Sequence, residues 1–328
     1  MRPECRCVVV AGLVALATAP GAAAADSVIL KEGKKPYRGT VIRDDAREVV
    51  LRVEGTSTFA RERVREVVYD DGRPVEYSLG REAASEGRHA DAARLFAAAL
   101  EAPHHELLEQ YILLHLARAE ERTGRVEEAR AALRRLAEKG GRTRFLFEAM
   151  DGLSRLGAEV PAAAPDSGLT ETQRLLLRAA IQARRGRHDS ALGLFGRAGR
   201  RAASGTFLAR RAELGAAGCL VKLGRGAEAA MRLRRFLIVC DDEFRAEAYV
   251  LLGDALAADA DGPDDWREAA YAYLRVAVHY PGDPATEVPA FAGAARCFGR
   301  VPGGGAARAK RLEEHLAKRY PSAAGEGG

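Results

Sequence analysis

The stretch at residues 77–102, YSLGREAASEGRHADAARLFAAALEA, decides the fold. Its small and apolar residues recur at helical offsets: Leu79, Gly80 and Gly87, then Ala92, Phe96 and Ala99 at steps of four and three. Seven residues at about 100° each return to within about 20° of the starting direction, so a helix puts such positions on one face. The Gly87-Arg88 pair interrupts the run, because a glycine costs roughly 1 kcal/mol inside a helix and serves well in a turn. Two antiparallel helices follow. Gly80, Ala92 and Ala99 are small enough for a close crossing, and Phe96 fills the space beside it.

This spacing resembles the tetratricopeptide repeat, a helix-turn-helix unit of about 34 residues with a Leu-Gly pair, a turn glycine, an alanine, an aromatic, an alanine and a closing proline. Leu79, Gly80, Gly87, Ala92, Phe96 and Ala99 match it, with Pro103 one place early. The pattern returns at Gly124-Arg125 with Ala129, Leu133 and Leu136, at Gly186-Arg187 with Ala191, Phe195 and Ala198, and at Gly224-Arg225 with Ala229, Leu233 and Phe236. A fifth unit has Tyr249, Leu252 and Gly253, an insertion at 259–265, then Ala269, Tyr273 and Tyr280-Pro281. A sixth closes with Gly304, Ala309, Leu316 and Tyr320-Pro321. Steps of 37, 38, 40 and 40 residues separate Gly87 from Gly124, Gly186 from Gly224, Ala229 from Ala269 and Ala269 from Ala309, whereas Gly124 to Gly186 spans 62. The resemblance implies a mainly α fold, an α-solenoid of about six such helix pairs, whose work is to bind other proteins without a cofactor.

The 328 residues are 47% hydrophobic and 30% charged, an ordinary globular balance, while an aromatic content of 6% suits close-packed helix pairs better than a large aromatic core. Residues 1–25 read as a secretory signal peptide: Arg2 and Arg6, an apolar run over 8–19, and Ala23-Ala24-Ala25 before a cleavage point at Asp26. That run is short for a membrane span of about 20 residues, so a membrane role is expected only through the signal or an uncleaved anchor. Residues 26–71 change to short β-branched runs at 28–30, 37–43, 49–53, 56–60 and 67–69, separated by turn residues. The runs VILKEGKKPYRGTVI and FARERVREVVY resemble the small SH3-like or Sm-like barrels at the start of exported bacterial proteins. A small all-β barrel that leans on the helices after it is therefore expected there. Residues 72–157 form a first repeat lobe ending in an extra amphipathic segment at 144–156 that looks like half a repeat. Residues 158–170 form a Pro/Ala linker, 171–321 a second lobe, and 322–328 a disordered tail.

Motifs of chemistry are weak. His188-Asp189-Ser190 has the residue types of a hydrolase triad, but three consecutive residues cannot converge on one reacting atom. His104-His105-Glu106 lacks metal-ligand spacing, and Pro302-Gly303-Gly304-Gly305 lacks the Lys-Ser/Thr of a phosphate loop. Neither a catalytic residue nor a cofactor or metal site is expected. Cys219, Cys240 and Cys297 leave an odd count after cleavage; Cys297 falls where a small buried residue is wanted, and Cys219 and Cys240 lie in the two helices of one repeat.

Charge is more informative. Residues 174–235 hold fifteen Lys/Arg against three Asp/Glu, +12, and residues 241–287 hold three against twelve, −9, a division hidden by the overall +5. Either adjacent repeats pair their charges, within a molecule or head to tail between copies, or the basic segment offers an anion-binding face. For the latter the candidate partner-binding residues are Arg178, Arg184, Arg185, Arg211 and Lys222. The lysine and asparagine clamp with which some tetratricopeptide domains hold a carboxylate tail is absent, since asparagine does not occur in the chain. The expectation is an exported, periplasmic or secreted, non-catalytic scaffold of the bacterial cell envelope for other proteins, acidic ones above all. Nucleic acid is a poor partner for an exported chain despite a pI near 9.0. A self-assembling structural protein and an accessory subunit of an envelope enzyme or secretion machine are the alternatives.

Overall fold

Alternating β-branched residues and tight turns give five antiparallel strands in the computed structural model, which describes residues 25–320 apart from 33–34, 54, 71 and 162–166. The signal peptide, Ala25 excepted, and the 322–328 tail lie outside the described residues. The strands are β1 (Asp26–Leu30), β2 (Tyr37–Asp44), β3 (Glu48–Arg52), β4 (Thr56–Ala60) and β5 (Val64–Val68), in the order β4-β3-β2-β1-β5. A register shift between Val41 and Arg43 leaves Ile42 as a bulge that bends β2 between its two partners. A small antiparallel sheet forms where the all-β unit was expected. Among the described residues β4 and β5 are unpaired edges, and the apolar face is closed by helices: Val28, Val41, Leu51 and Val67 share one core with Tyr77, Phe96, Leu108 and Ile112. About 45 residues are too few to bury a core alone. The expected boundary at residue 71 therefore divides the chain and not the core.

The helices then run in pairs: α1 (Val75–Ser85) with α2 (His89–Glu101), α3 (Glu109–Arg122) with α4 (Val126–Glu138), the single α5 (Leu146–Arg155), α6 (Glu171–Arg184) with α7 (His188–Arg201), α8 (Phe207–Lys222) with α9 (Gly226–Val239), α10 (Asp242–Ala258) with α11 (Pro263–His279), and α12 (Pro284–Gly299) with α13 (Gly305–Arg319). Six pairs and one unpaired helix are what the spacing predicts. Gly87, Gly124, Gly186 and Gly224 all take φ of 71–76°, the left-handed conformation that closes a helix. Each turn is built alike: Arg88, Arg125, Arg187 and Arg225 donate their backbone N–H to the carbonyls of Ala83, Glu120, Gln182 and Leu220, all at 2.9 Å. The close crossing expected at Gly80 is also present, since a Cβ there would lie 2.8 Å from the Phe96 ring.

The irregular 62-residue step has a physical explanation. Gly157, 33 residues after Gly124 and 29 before Gly186, takes φ 75° and lets Ala158 N–H reach the Leu153 carbonyl at 2.8 Å. The α5 helix thus ends in the turn of a first repeat helix, but the chain goes on to α6 without a second.

The division into two lobes at 158–170 does not coincide with a division of the core. One buried cluster runs from Leu113 on α3 through Leu153, Ala158 and Leu169 to Leu175, Phe195 and Cys219 on α8. The reason is packing: α5 is buried along Leu146, Phe147, Ala149, Met150 and Leu153, more apolar surface than α4 alone can cover, and α6 covers the remainder.

The solenoid also touches itself. Arg122 at the end of α3 pairs with Asp283 before α12 at 3.4 Å, and a Cβ on Gly124 would meet Pro284 at 3.9 Å. The sixth pair thereby rests against the second.

Candidate functional site

The five basic residues singled out by charge fall into two groups. Arg178 and Arg185 are seven residues apart on α6 and its C-cap, hence on one face, and both are exposed. Lys222 ends α8, whose axis runs parallel to α6 because α7 reverses the chain between them, so Arg185 and Lys222 occupy the same end of the solenoid. None of these three takes part in an ion pair among the described residues. Arg184 is different: its guanidinium donates to the Gly157 carbonyl at 2.7 Å and to that of Ala158, capping the turn after α5.

Arg211 is not exposed, and that assignment is corrected. Its side chain is 15% exposed and lies between Asp151 on α5, at 3.5 Å, and Glu247 on α10, at 2.8 Å. Burial opposes its charge, but Glu247 and Asp151 together hold its pKa above the usual arginine value. It is an internal brace. Asp151 also meets Arg155 at 3.4 Å, and Arg155 meets Glu121 on α3 at 3.3 Å, so charges of alternating sign step across α3, α5, α8 and α10. Near this ladder Glu148 is mostly buried with Oε2 unbonded, and burial raises its pKa.

Pairing between adjacent repeats accounts for part of the +12/−9 division. Arg210 pairs with Asp241 at 3.1 Å, Arg211 with Glu247, and Arg234 with Glu268 at 2.6 Å. The partners are 31–36 residues apart. That offset is close to one repeat, but it does not single these arginines out, since Glu213 lies 35 residues beyond Arg178 and Asp254 lies 32 beyond Lys222 without pairing with them.

A second polar centre joins the sheet to the helices. Asp44, fully buried, accepts from Arg61 at 2.8 Å, Tyr69 at 2.9 Å and Tyr111 at 2.6 Å, while its carbonyl accepts from Gln110 Nε2 at 2.9 Å. Gln110 Oε1 in turn accepts from Thr143 Oγ1 at 2.9 Å, and Arg144 donates to Tyr111 Oη at 3.0 Å. Burial and the Asp44 carboxylate keep both tyrosine pKa values raised. No periodicity pointed to this cluster, because its members come from four distant segments. It ties the sheet to α3 and to the segment before α5. The nearby pocket, lined among others by Tyr69, Arg73, Tyr77, Arg81 and Tyr111, holds about 20 Å³, space for a single water.

The weak motifs have structural roles. His105 Nδ1 accepts from Leu107 N–H at 3.2 Å and its ring sits 5.3 Å from Tyr69, while His104 Nδ1 bonds the Ala102 carbonyl at 2.7 Å. His188, Asp189 and Ser190 open α7. Cys219, Cys240 and Cys297 are buried and form no disulfide, with burial pushing the Cys219 thiol up to about 11. Among the described residues no group of three or more His, Cys, Asp or Glu is placed to hold a metal, and no helix is long and apolar enough to cross a membrane.

No protein-family model matches the sequence, and no curated protein matches it. Among solved structures the chain is similar to the crystal structure of the P58(IPK) TPR domain, with a TM-score of 0.32 and 14% identity over 74% of this chain. The chain covers 56% of the length of that structure.

Proposed function

We propose that the protein is an exported, non-catalytic scaffold with a tetratricopeptide-like solenoid, periplasmic or secreted, that binds other proteins of the bacterial cell envelope. The observation that carries this reading is the exposed set Arg178, Arg185 and Lys222. These cations stand on one helical framework without ion-pair partners among the described residues, while Arg210, Arg211 and Arg234 are neutralised by the next repeat. Such a face favours an acidic protein surface and speeds its encounter. The apolar run after Arg2 and Arg6 supports export.

The test is capture from an envelope fraction with the wild-type chain and with Arg178→Glu/Arg185→Glu/Lys222→Glu. A partner retained by the first and lost by the second supports the reading, and its identity separates a general scaffold from an accessory subunit of an enzyme or secretion machine. Equal capture by both chains removes this face as the binding surface. Recovery of intact Met1 on a cytoplasmic protein, in place of an N-terminus near Asp26, would remove the export claim.

A further inference from the structure

We propose that the protein forms a two-fold symmetric dimer through the end of the solenoid where α7 and α9 finish and α8 and α10 begin. This deepens the self-assembly alternative and does not depend on capture of another protein.

Three observations converge on that end. First, Ile238 and Val239 close α9 with 79% and 71% of their surface exposed, and Phe207, opening α8, is 41% exposed. A soluble chain rarely leaves adjacent large aliphatic residues so bare without something to cover them. Second, Arg197, Arg200 and Arg201 at the end of α7 are exposed and make no ion pair among the described residues. Third, Asp241, Asp242 and Glu243 at the start of α10 are exposed as well; Asp241 and Asp242 have local partners in Arg210 and Arg245, and Glu243 makes no ion pair among the described residues. One end is continuous through all of them. The 202–206 loop joins α7 to α8, and Arg210 on α8 donates to the Val239 carbonyl at 3.1 Å and pairs with Asp241 at 3.1 Å.

The order across this end is therefore basic, apolar, acidic. An anionic membrane would meet the basic helix end but be repelled beside the apolar residues by Glu243, whose charge no local cation offsets among the described residues, and an acidic protein surface would meet the same repulsion. A fitting partner carries both signs in reverse order around an apolar centre. A second copy turned by two-fold symmetry does so: Ile238 and Val239 meet their own counterparts at the axis, and Arg200 and Arg201 of each copy face Asp242 and Glu243 of the other. In such an isologous contact each complementary pair occurs twice.

The experiment is sedimentation velocity of the purified full chain, with circular dichroism melting to confirm that each variant folds. The wild type is expected at twice the mass of a single chain. Ile238→Glu/Val239→Glu, Arg200→Glu/Arg201→Glu alone and Asp242→Lys/Glu243→Lys alone are each expected to sediment as monomers with helix content unchanged. Mixing the last two variants restores both complementary contacts and should return a dimer containing one copy of each. A wild-type monomer, a dimer indifferent to these substitutions, or a mixture that stays monomeric overturns the proposal, as does binding to anionic lipid vesicles that is lost on Ile238→Glu/Val239→Glu while the mass stays that of a monomer. A monomer that still captures an envelope protein would remove the dimer and leave the scaffold reading standing.

Discussion

Arg211 on α8 reaches back sixty residues to the Asp151 carboxylate on α5, at 3.5 Å, while its other terminal nitrogen holds Glu247 on α10 at 2.8 Å. One guanidinium thus ties three helices from either side of the 158–170 segment. A charge that the sequence placed in a basic surface serves as a fastening inside it.

Removing that fastening should cost stability. Arg211→Leu leaves Asp151 with Arg155 alone and Glu247, 41% exposed, without its partner, a loss of about 1–3 kcal/mol for charged hydrogen bonds that solvent partly replaces. Arg178→Leu, at an exposed position, should change stability by no more than about 0.5 kcal/mol. Urea denaturation of the two variants separates the roles; equal midpoints would show that the brace is inert.

The shared core gives a second expectation, for limited proteolysis. Val160 to Gly168 carries Pro161 and Pro165 and should be cut early, since proline denies the segment regular helical hydrogen bonds. Because Leu113, Leu153, Leu175 and Phe195 belong to one cluster, the nicked halves should stay together on native gel filtration and separate in denaturant. Fragments that part under native conditions would mean that the cluster does not hold across the cut.

His115 sets an acid limit. Its ring lies 5.5 Å from Phe96 and 5.8 Å from Tyr77, and burial, aided by Arg118 and Arg81, lowers its pKa to about 4. The unfolded chain takes up this proton near the ordinary value of about 6.5 and the folded chain does not, so stability falls as pH drops from about 6.5 to about 4, by up to about 3 kcal/mol. Above pH 6.5 the contribution is constant. His115→Phe should remove that part of the acid loss, read from denaturation midpoints at pH 7, 5.5 and 4; an unchanged acid slope would place the loss at other groups.

The exposed cations should act on encounter. Arg178→Glu/Arg185→Glu/Lys222→Glu is expected to slow association with an acidic partner more than it speeds dissociation, with the effect shrinking as salt rises and screening shortens to about 8 Å. Melting temperature should hardly move, because exposed pairs contribute about 0–1 kcal/mol each. Surface plasmon resonance at low and physiological salt measures both rates, and a change confined to dissociation would point to a buried contact.

The helix pairs were legible in the sequence because their cause is local. A left-handed glycine and a small residue at a crossing act within one turn or one pair, so Gly80, Gly87, Gly124, Gly186 and Gly224 could be read from spacing alone. Gly157 carries the same signal in its positive φ, but no repeat helix follows it as one follows Gly87, Gly124, Gly186 and Gly224. The strands were legible too, apart from the early start of β5 at Val64, where Arg65 and Glu66 mask the alternation.

What the sequence determined by itself was the number and type of elements, the turn chemistry and the separation of charge along the chain. Tertiary structure alone decided that Asp44 gathers Arg61, Tyr69 and Tyr111, and that Arg211 is a brace while Arg178 and Lys222 are free of ion pairs among the described residues. The physical reason is range. A helix or turn is fixed by groups a few residues apart, whereas the use of a charge depends on which distant helix comes to lie against it, and that follows from packing the apolar faces, to which the charge itself contributes little.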